Sequence, residues 1–120
     1  MITDITDITM IMKSFDYEGN LVSFAKDEGK GNMINATEMA KPFGREVKHW
    51  FENSSTFEYI EALAENRGIT PIGEIPTSLS VSDLARRYPT LVHVVKGGLE
   101  RQGTWLHEDV ALAFAQWLSP

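Results

Sequence analysis

The chain has 120 residues, 42% of them hydrophobic, with a net charge of -6 and a sequence pI near 5.0, a length that fits one domain with a genuine core. It contains no cysteine, which excludes disulfides and thiolate metal sites and fits a reducing cytoplasm. No apolar run reaches the roughly 18 residues of a spanning helix, and Met1-Ile2-Thr3-Asp4 lacks the positive start of a secretory signal, so a cytoplasmic protein without membrane contact is expected.

Residues 2 to 9 repeat Ile-Thr-Asp with a three-residue period that suits neither helix nor strand, and predict a loosely ordered arm over residues 1–9. Met10 to Phe15 and Leu21 to Lys26 flank Asp16-Tyr17-Glu18-Gly19-Asn20, where Gly19-Asn20 can take the positive φ of a tight turn, and predict a first β-hairpin. After a glycine-rich loop, Met33-Ile34 suggests a short strand. Asn35 then reads as a helix N-cap with Glu38 as its reciprocal acid. A helix is expected from Ala36 to Phe43, broken by Gly44, and a second from Arg45 to Phe51 with Val47, Trp50 and Phe51 inward. Ser54 or Ser55, with Glu58, should cap a third helix that stops at Gly68.

Ile69 to Ser80, with Pro71, Gly73 and Pro76, reads as a loop, and Ser82 to Tyr88 as one or two helical turns ended by Pro89. Leu91 to Val95 and Gly103 to His107 predict a second hairpin whose tip carries Lys96, Arg101 and Gln102. It runs into a helix, Glu108 to Leu118, apolar on most sides and therefore expected as the central buried element.

Chemistry beyond binding finds little support. The histidines at 49, 93 and 107 do not fall in a metal-binding spacing, there is no nucleophile elbow, and Gly29-Lys30-Gly31 lacks the spacing of a phosphate-binding loop. His107-Glu108-Asp109 is the nearest approach to an acid/base cluster, yet acids in a first helical turn are explained by the helix dipole. No enzymatic activity, cofactor, metal or small-molecule substrate is expected. Asn35-Ala36-Thr37 and Asn53-Ser54-Ser55 match a glycosylation sequon but read better as helix caps.

The overall charge opposes a polyanionic partner at long range, but it is segregated. Asp4, Asp7, Asp16, Glu18, Asp27 and Glu28 against Lys13 and Lys26 leave residues 1–28 at -4, and Glu52, Glu58, Glu61 and Glu65 leave residues 52–65 at -4. Residues 41–48 stand at +2 through Lys41, Arg45 and Lys48 against Glu46. Residues 86–101 stand at +3 through Arg86, Arg87, Lys96 and Arg101 against Glu100. Lys41, Arg45 and Lys48 fall at intervals of four and three and could line one ridge, with His49 at its edge. Lysines suit phosphates, whereas the fork of Arg45 suits a guanine edge. Asp83 could neutralise Arg86 or Arg87. The line Glu58, Glu61 and Glu65 offers an alternative, a module that recognises a basic protein partner.

Several ordered blocks carry a family likeness: Ile34-Asn35-Ala36-Thr37 with Met39-Ala40, Trp50, Ser55-Thr56, Phe57 to Leu63, Val94-Val95-Lys96-Gly97-Gly98, Gly103-Thr104-Trp105-Leu106-His107, and Leu112-Ala113 to Trp117-Leu118-Ser119-Pro120. Through them, from about Met12 to Pro120, the chain resembles the KilA-N domain of phages, bacteria and large DNA viruses, itself similar in fold to the APSES domain of fungal transcription factors. The resemblance implies a single α+β, winged helix-like domain over residues 10–120. Its parts would be an N-terminal β-hairpin, a short helix pair plus a third helix, a β-hairpin wing and a C-terminal buried helix. It also implies DNA as partner, in transcription regulation by a phage-, prophage- or mobile-element-related protein; the local charge and the hairpin tip offer Lys41, Arg45, Lys48, His49, Lys96, Arg101 and Gln102 as the contact residues. Asn35, Trp50, Gly97, Gly98, Trp105 and Trp117 belong to the likeness as scaffold. Two departures stand out: Ile69 to Tyr88 is longer than in compact members and could reshape or shield the surface, and few bases are present. Weak binding is expected unless the intact protein dimerises or carries a further C-terminal domain, and the stop at the family's usual boundary suggests a fragment.

Overall fold

The computed structural model describes residues 11–27, 31–75, 80–96 and 102–119. The expected N-terminal arm lies outside the described residues, as does much of the second turn, including Gly97, Gly98 and Arg101. Strands β1 (Ile11–Tyr17) and β2 (Asn20–Asp27) form the first hairpin. Tyr17 pairs with Asn20, which leaves a two-residue turn at Glu18-Gly19 with φ of +51° and +79°. Positive φ at both central positions is the combination that follows the right-handed twist of the strands. The turn therefore sits one residue earlier than the expected Gly19-Asn20, and Asn20 is released for a tertiary role: its Nδ2 donates to the Glu38 carbonyl at 3.0 Å.

The short strand expected at Met33-Ile34 is β3 (Gly31–Asn35), and it is the middle of the fold. It pairs with β2 on one side and with β5 (Gly103–His107) on the other, while β5 pairs with β4 (Val92–Val95). The two hairpins thus fuse into one antiparallel sheet of order β1-β2-β3-β5-β4. Strand alternation sorts the side chains by face. Val22, Val92 and Leu106 point into the main core under the helices, and Ala25, Met33, Val95 and Trp105 form a small cluster of their own.

Between the hairpins the chain forms α1 (Ala36–Ala40), a 3-10 turn (Lys41–Phe43), α2 (Val47–Phe51) and α3 (Ser54–Asn66). The single helix expected to Phe43 is cut short because Pro42 has no N–H to give the Glu38 carbonyl. That carbonyl takes the Lys41 N–H and Asn20 instead. Gly44, at φ +63°, closes the turn, and α2 starts at Val47, two residues later than expected. Asn35 Oδ1 caps α1 by accepting from the Glu38 N–H at 3.1 Å. The reciprocal half of the cap does not form, since the Glu38 carboxylate accepts from Ser23 N in β2 at 2.6 Å.

The cap expected at Ser54 or Ser55 with Glu58 is also replaced. Asn53 holds the N-cap position, and its Nδ2 turns back to the carbonyls of His49 and Trp50 at 3.3 and 3.2 Å. Thr56 Oγ1 donates to the same Trp50 carbonyl at 2.6 Å, so the side chains between the helices satisfy the end of α2 rather than the start of α3. The stop of α3 falls as read: Gly68 is left-handed, Ile69 N reaches Ala64 O and Gly68 N reaches Glu65 O, the paired bonds of a Schellman ending.

Helix α4 (Val81–Arg87) is capped by Ser80 Oγ, which accepts from Asp83 N at 3.1 Å. Helix α5 (Glu108–Leu118) is capped by His107 Nδ1, which accepts from Asp109 N at 3.2 Å. It buries Val110, Ala111, Phe114 and Leu118 but leaves Leu112 62% exposed, so it lies on the core by one face instead of running through its centre. None of the described helices is long and apolar enough to cross a membrane.

Candidate nucleic-acid interface

The break at Gly44 builds the surface. It folds the segment carrying Lys41, Arg45 and Lys48 so that all three line one shallow groove of about 270 Å³, with Thr37, Glu46 and Val47 also in its wall. Lys41 opens the 3-10 turn, Arg45 sits on the connector, and Lys48 is the second residue of α2. The expected ridge is thus a bent segment rather than two adjoining helix faces. Lys41, Arg45 and Lys48 are exposed, as is His49 on the neighbouring position of α2, which lies outside the groove lining. Glu46 is the acid in the groove, 3.8 Å from Lys48 Nζ, and a pair so exposed holds little free energy.

Arg45 is held more firmly than its exposure suggests. Its guanidinium lies over the Trp117 ring, 3.6 Å from the centroid, and its Nη1 donates to the Trp117 carbonyl at 2.8 Å. Sequence reasoning missed this contact, which spans 72 positions.

The wing joins the same region through its base. Asn35 Nδ2 donates to the Gln102 carbonyl at 3.3 Å, and Thr104 N donates to Thr37 Oγ1 at 3.0 Å. Thr37 therefore lines the groove and fastens the wing, which makes the two surfaces contiguous. Lys96 and Gln102 are exposed at the ends of the described hairpin, and Arg101 lies outside the described residues. The signal in the sequence was the pair of blocks 34–37 and 103–107, read separately as a cap and a strand.

Gly103 allows this approach. Its φ is +133°, and a Cβ there would sit 2.9 Å from Asn35 Oδ1 and 3.0 Å from Thr37 Oγ1. Gly103→Ala is expected to cost about 3 kcal/mol, from backbone strain plus overpacking against the α1 cap. Urea unfolding checks it, and a loss under about 1 kcal/mol would mean that the wing base can shift.

The base-rich segment 86–101 keeps less free charge than its sequence suggests. Arg86 pairs with Asp83, the neutralisation considered from sequence. Arg87 is buried; its Nε donates to Glu61 Oε2 at 2.6 Å, and the Tyr88 hydroxyl donates to the same oxygen at 2.6 Å. The Arg87 bond holds the Glu61 carboxyl below its usual range, whereas burial pushes the Tyr88 hydroxyl up to about 12. Glu61 is thereby taken out of the acidic line, and Glu58 and Glu65 remain exposed without it. Arg87 Nη1 also donates to Gly73 O at 3.0 Å and Ile72 N to Arg87 O at 2.9 Å. These bonds tether the long segment to α4, and none of its described residues lines the groove. Among the described residues no cluster of His, Cys, Asp and Glu could hold a metal ion.

A family model of the KilA-N domain matches residues 15–120. No curated protein and no solved structure matches the chain. With the match running from the first hairpin through α5, the chain belongs to the KilA-N family, a family of DNA-binding domains.

Proposed function

We propose that this domain binds duplex DNA by laying the groove of Lys41, Arg45 and Lys48 against the backbone and a groove edge, with His49 beside it and the wing tip of Lys96, Arg101 and Gln102 on a neighbouring stretch. The observation that carries the reading is the convergence of three bases on one groove, contiguous through Thr37 with the wing, in a chain whose net charge is -6. Lysines serve phosphates, and the planar fork of Arg45 suits a guanine edge. Family membership supports DNA binding, and the reading extends to a regulatory, non-enzymatic role in the cytoplasm, in a phage- or mobile-element-related protein. With so few bases, dimerisation or a further domain of the intact protein would raise the affinity.

Titration of a labelled duplex of about 20 base pairs at several salt concentrations tests the reading. Five phosphate contacts predict a slope of about -4.5 in log K against log salt. Binding that ignores salt, or no binding at low salt, refutes it.

A further inference from the structure

Trp117 sits near the end of α5, partly buried against the main core. Its ring stacks on Phe114 with centroids 5.8 Å apart at 26°, and Phe114, fully buried, packs in turn on Trp50 at 5.3 Å. The same indole carries the Arg45 guanidinium, 3.6 Å from the ring centroid, and the Trp117 carbonyl fixes one of its nitrogens. Arg45 therefore stands at the end of a run of contacts, through Trp117 and Phe114, that begins in the core. A guanidinium has five N–H donors, and Trp117 takes one of them. An arginine held over an aromatic ring keeps N–H donors for further hydrogen bonds.

A free arginine loses rotamer freedom when it grips a ligand, and one already ordered loses less. We propose that Trp117 is a positioning residue for nucleic-acid binding, acting through Arg45 by holding the guanidinium ready in the groove. The inference rests on the groove as the DNA-binding surface, and its own content is the dependence of Arg45 on Trp117. A merely structural Trp117 would pin α5 to the connector and affect binding whether or not Arg45 were present.

The duplex affinities of the unaltered chain, Arg45→Ala, Trp117→Leu, the double variant and Trp117→Phe separate the two. Arg45→Ala and Trp117→Leu should each weaken binding about tenfold, the order of one charge-assisted contact. The double variant should be no worse than Arg45→Ala alone, and Trp117→Phe, which keeps an aromatic face, should recover most of the affinity. The inference is overturned if Trp117→Leu costs the same factor in the Arg45→Ala background, or costs nothing, or if Trp117→Phe binds as poorly as Arg45→Ala.

A second measurement needs no DNA. In the free protein the Arg45 side-chain protons should show an upfield ring-current displacement that Arg45 loses in Trp117→Leu, with Trp117→Phe retaining part of it should the leucine variant not fold. Absence of that displacement in the unaltered chain overturns the positioning role and leaves the DNA-binding reading standing. Its presence in a chain that binds no duplex overturns the DNA-binding reading, and the positioning role with it.

Discussion

Lys41→Glu combined with Lys48→Glu should weaken duplex binding by about a hundredfold at moderate salt and reduce the salt slope from about -4.5 to about -2.7, two contacts fewer. The two lysines line one groove from either side of the Gly44 break, so the changes put two carboxylates where the backbone of the duplex would lie, beside Glu46. Both side chains are exposed, and among the described residues the one ion pair they make, Lys48 with Glu46, is long, so stability should move by no more than about 0.5 kcal/mol. That separation of binding from folding makes the result decisive. Unchanged affinity in a well-folded variant would remove the groove from the interface and leave only the wing tip.

Arg87→Ala should weaken the fold strongly and in a pH-dependent way. The side chain is buried and ties together two groups distant in sequence, Glu61 on α3 and the Gly73 carbonyl of the long loop, while the adjacent Tyr88 hydroxyl donates to the same Glu61 carboxylate. Removing it strands a half-buried carboxylate and a carbonyl, at a cost of about 3 kcal/mol. For a domain of this size the melting temperature should fall by about 10 °C. The acid dependence gives an independent reading. The folded-state pKa of Glu61 lies below its ordinary value of 4.5, chiefly through the Arg87 hydrogen bond. A lowered carboxylate stabilises the fold above the unfolded value, and that stabilisation is lost as pH falls through the folded value. The deficit of Arg87→Ala, measured by urea unfolding, should therefore be full at neutral pH and shrink below about pH 4. Tyr88, raised to about 12 by burial, works in the opposite sense. Its contribution is complete below the ordinary value of 10 and is lost as pH rises towards 12. A deficit that stays constant through the acid range would show that Arg87 acts through packing rather than through Glu61.

Elements whose cause is local were legible from the residues. The left-handed stops at Gly44 and Gly68, the Asn35 cap, the two hairpins and the bounds of α5 follow from φ preference, capping chemistry and side-chain periodicity, all of which operate within a few positions. Convergence of Lys41, Arg45 and Lys48 was legible for the same reason, because eight residues with one sharp break leave few ways to disperse them. The reciprocal acid at Glu38 was misread because a tertiary partner competed: its carboxylate accepts from Ser23 N of β2. At α3 the cap was misread because Asn53 turns back to the carbonyls of the helix before it.

The sequence by itself determined the hairpins, the helix ends and the segment on which the groove forms, because each is set by short-range backbone preferences and by charges close together in the chain. Only the tertiary structure decided that β3 welds the hairpins into one sheet, that Thr37 joins groove to wing, that Arg87 is buried, and that Arg45 is mounted on Trp117. These outcomes depend on which distant groups meet when apolar surface is buried. A charged side chain carries no mark of its eventual partner until the packing has chosen whether it stays in water.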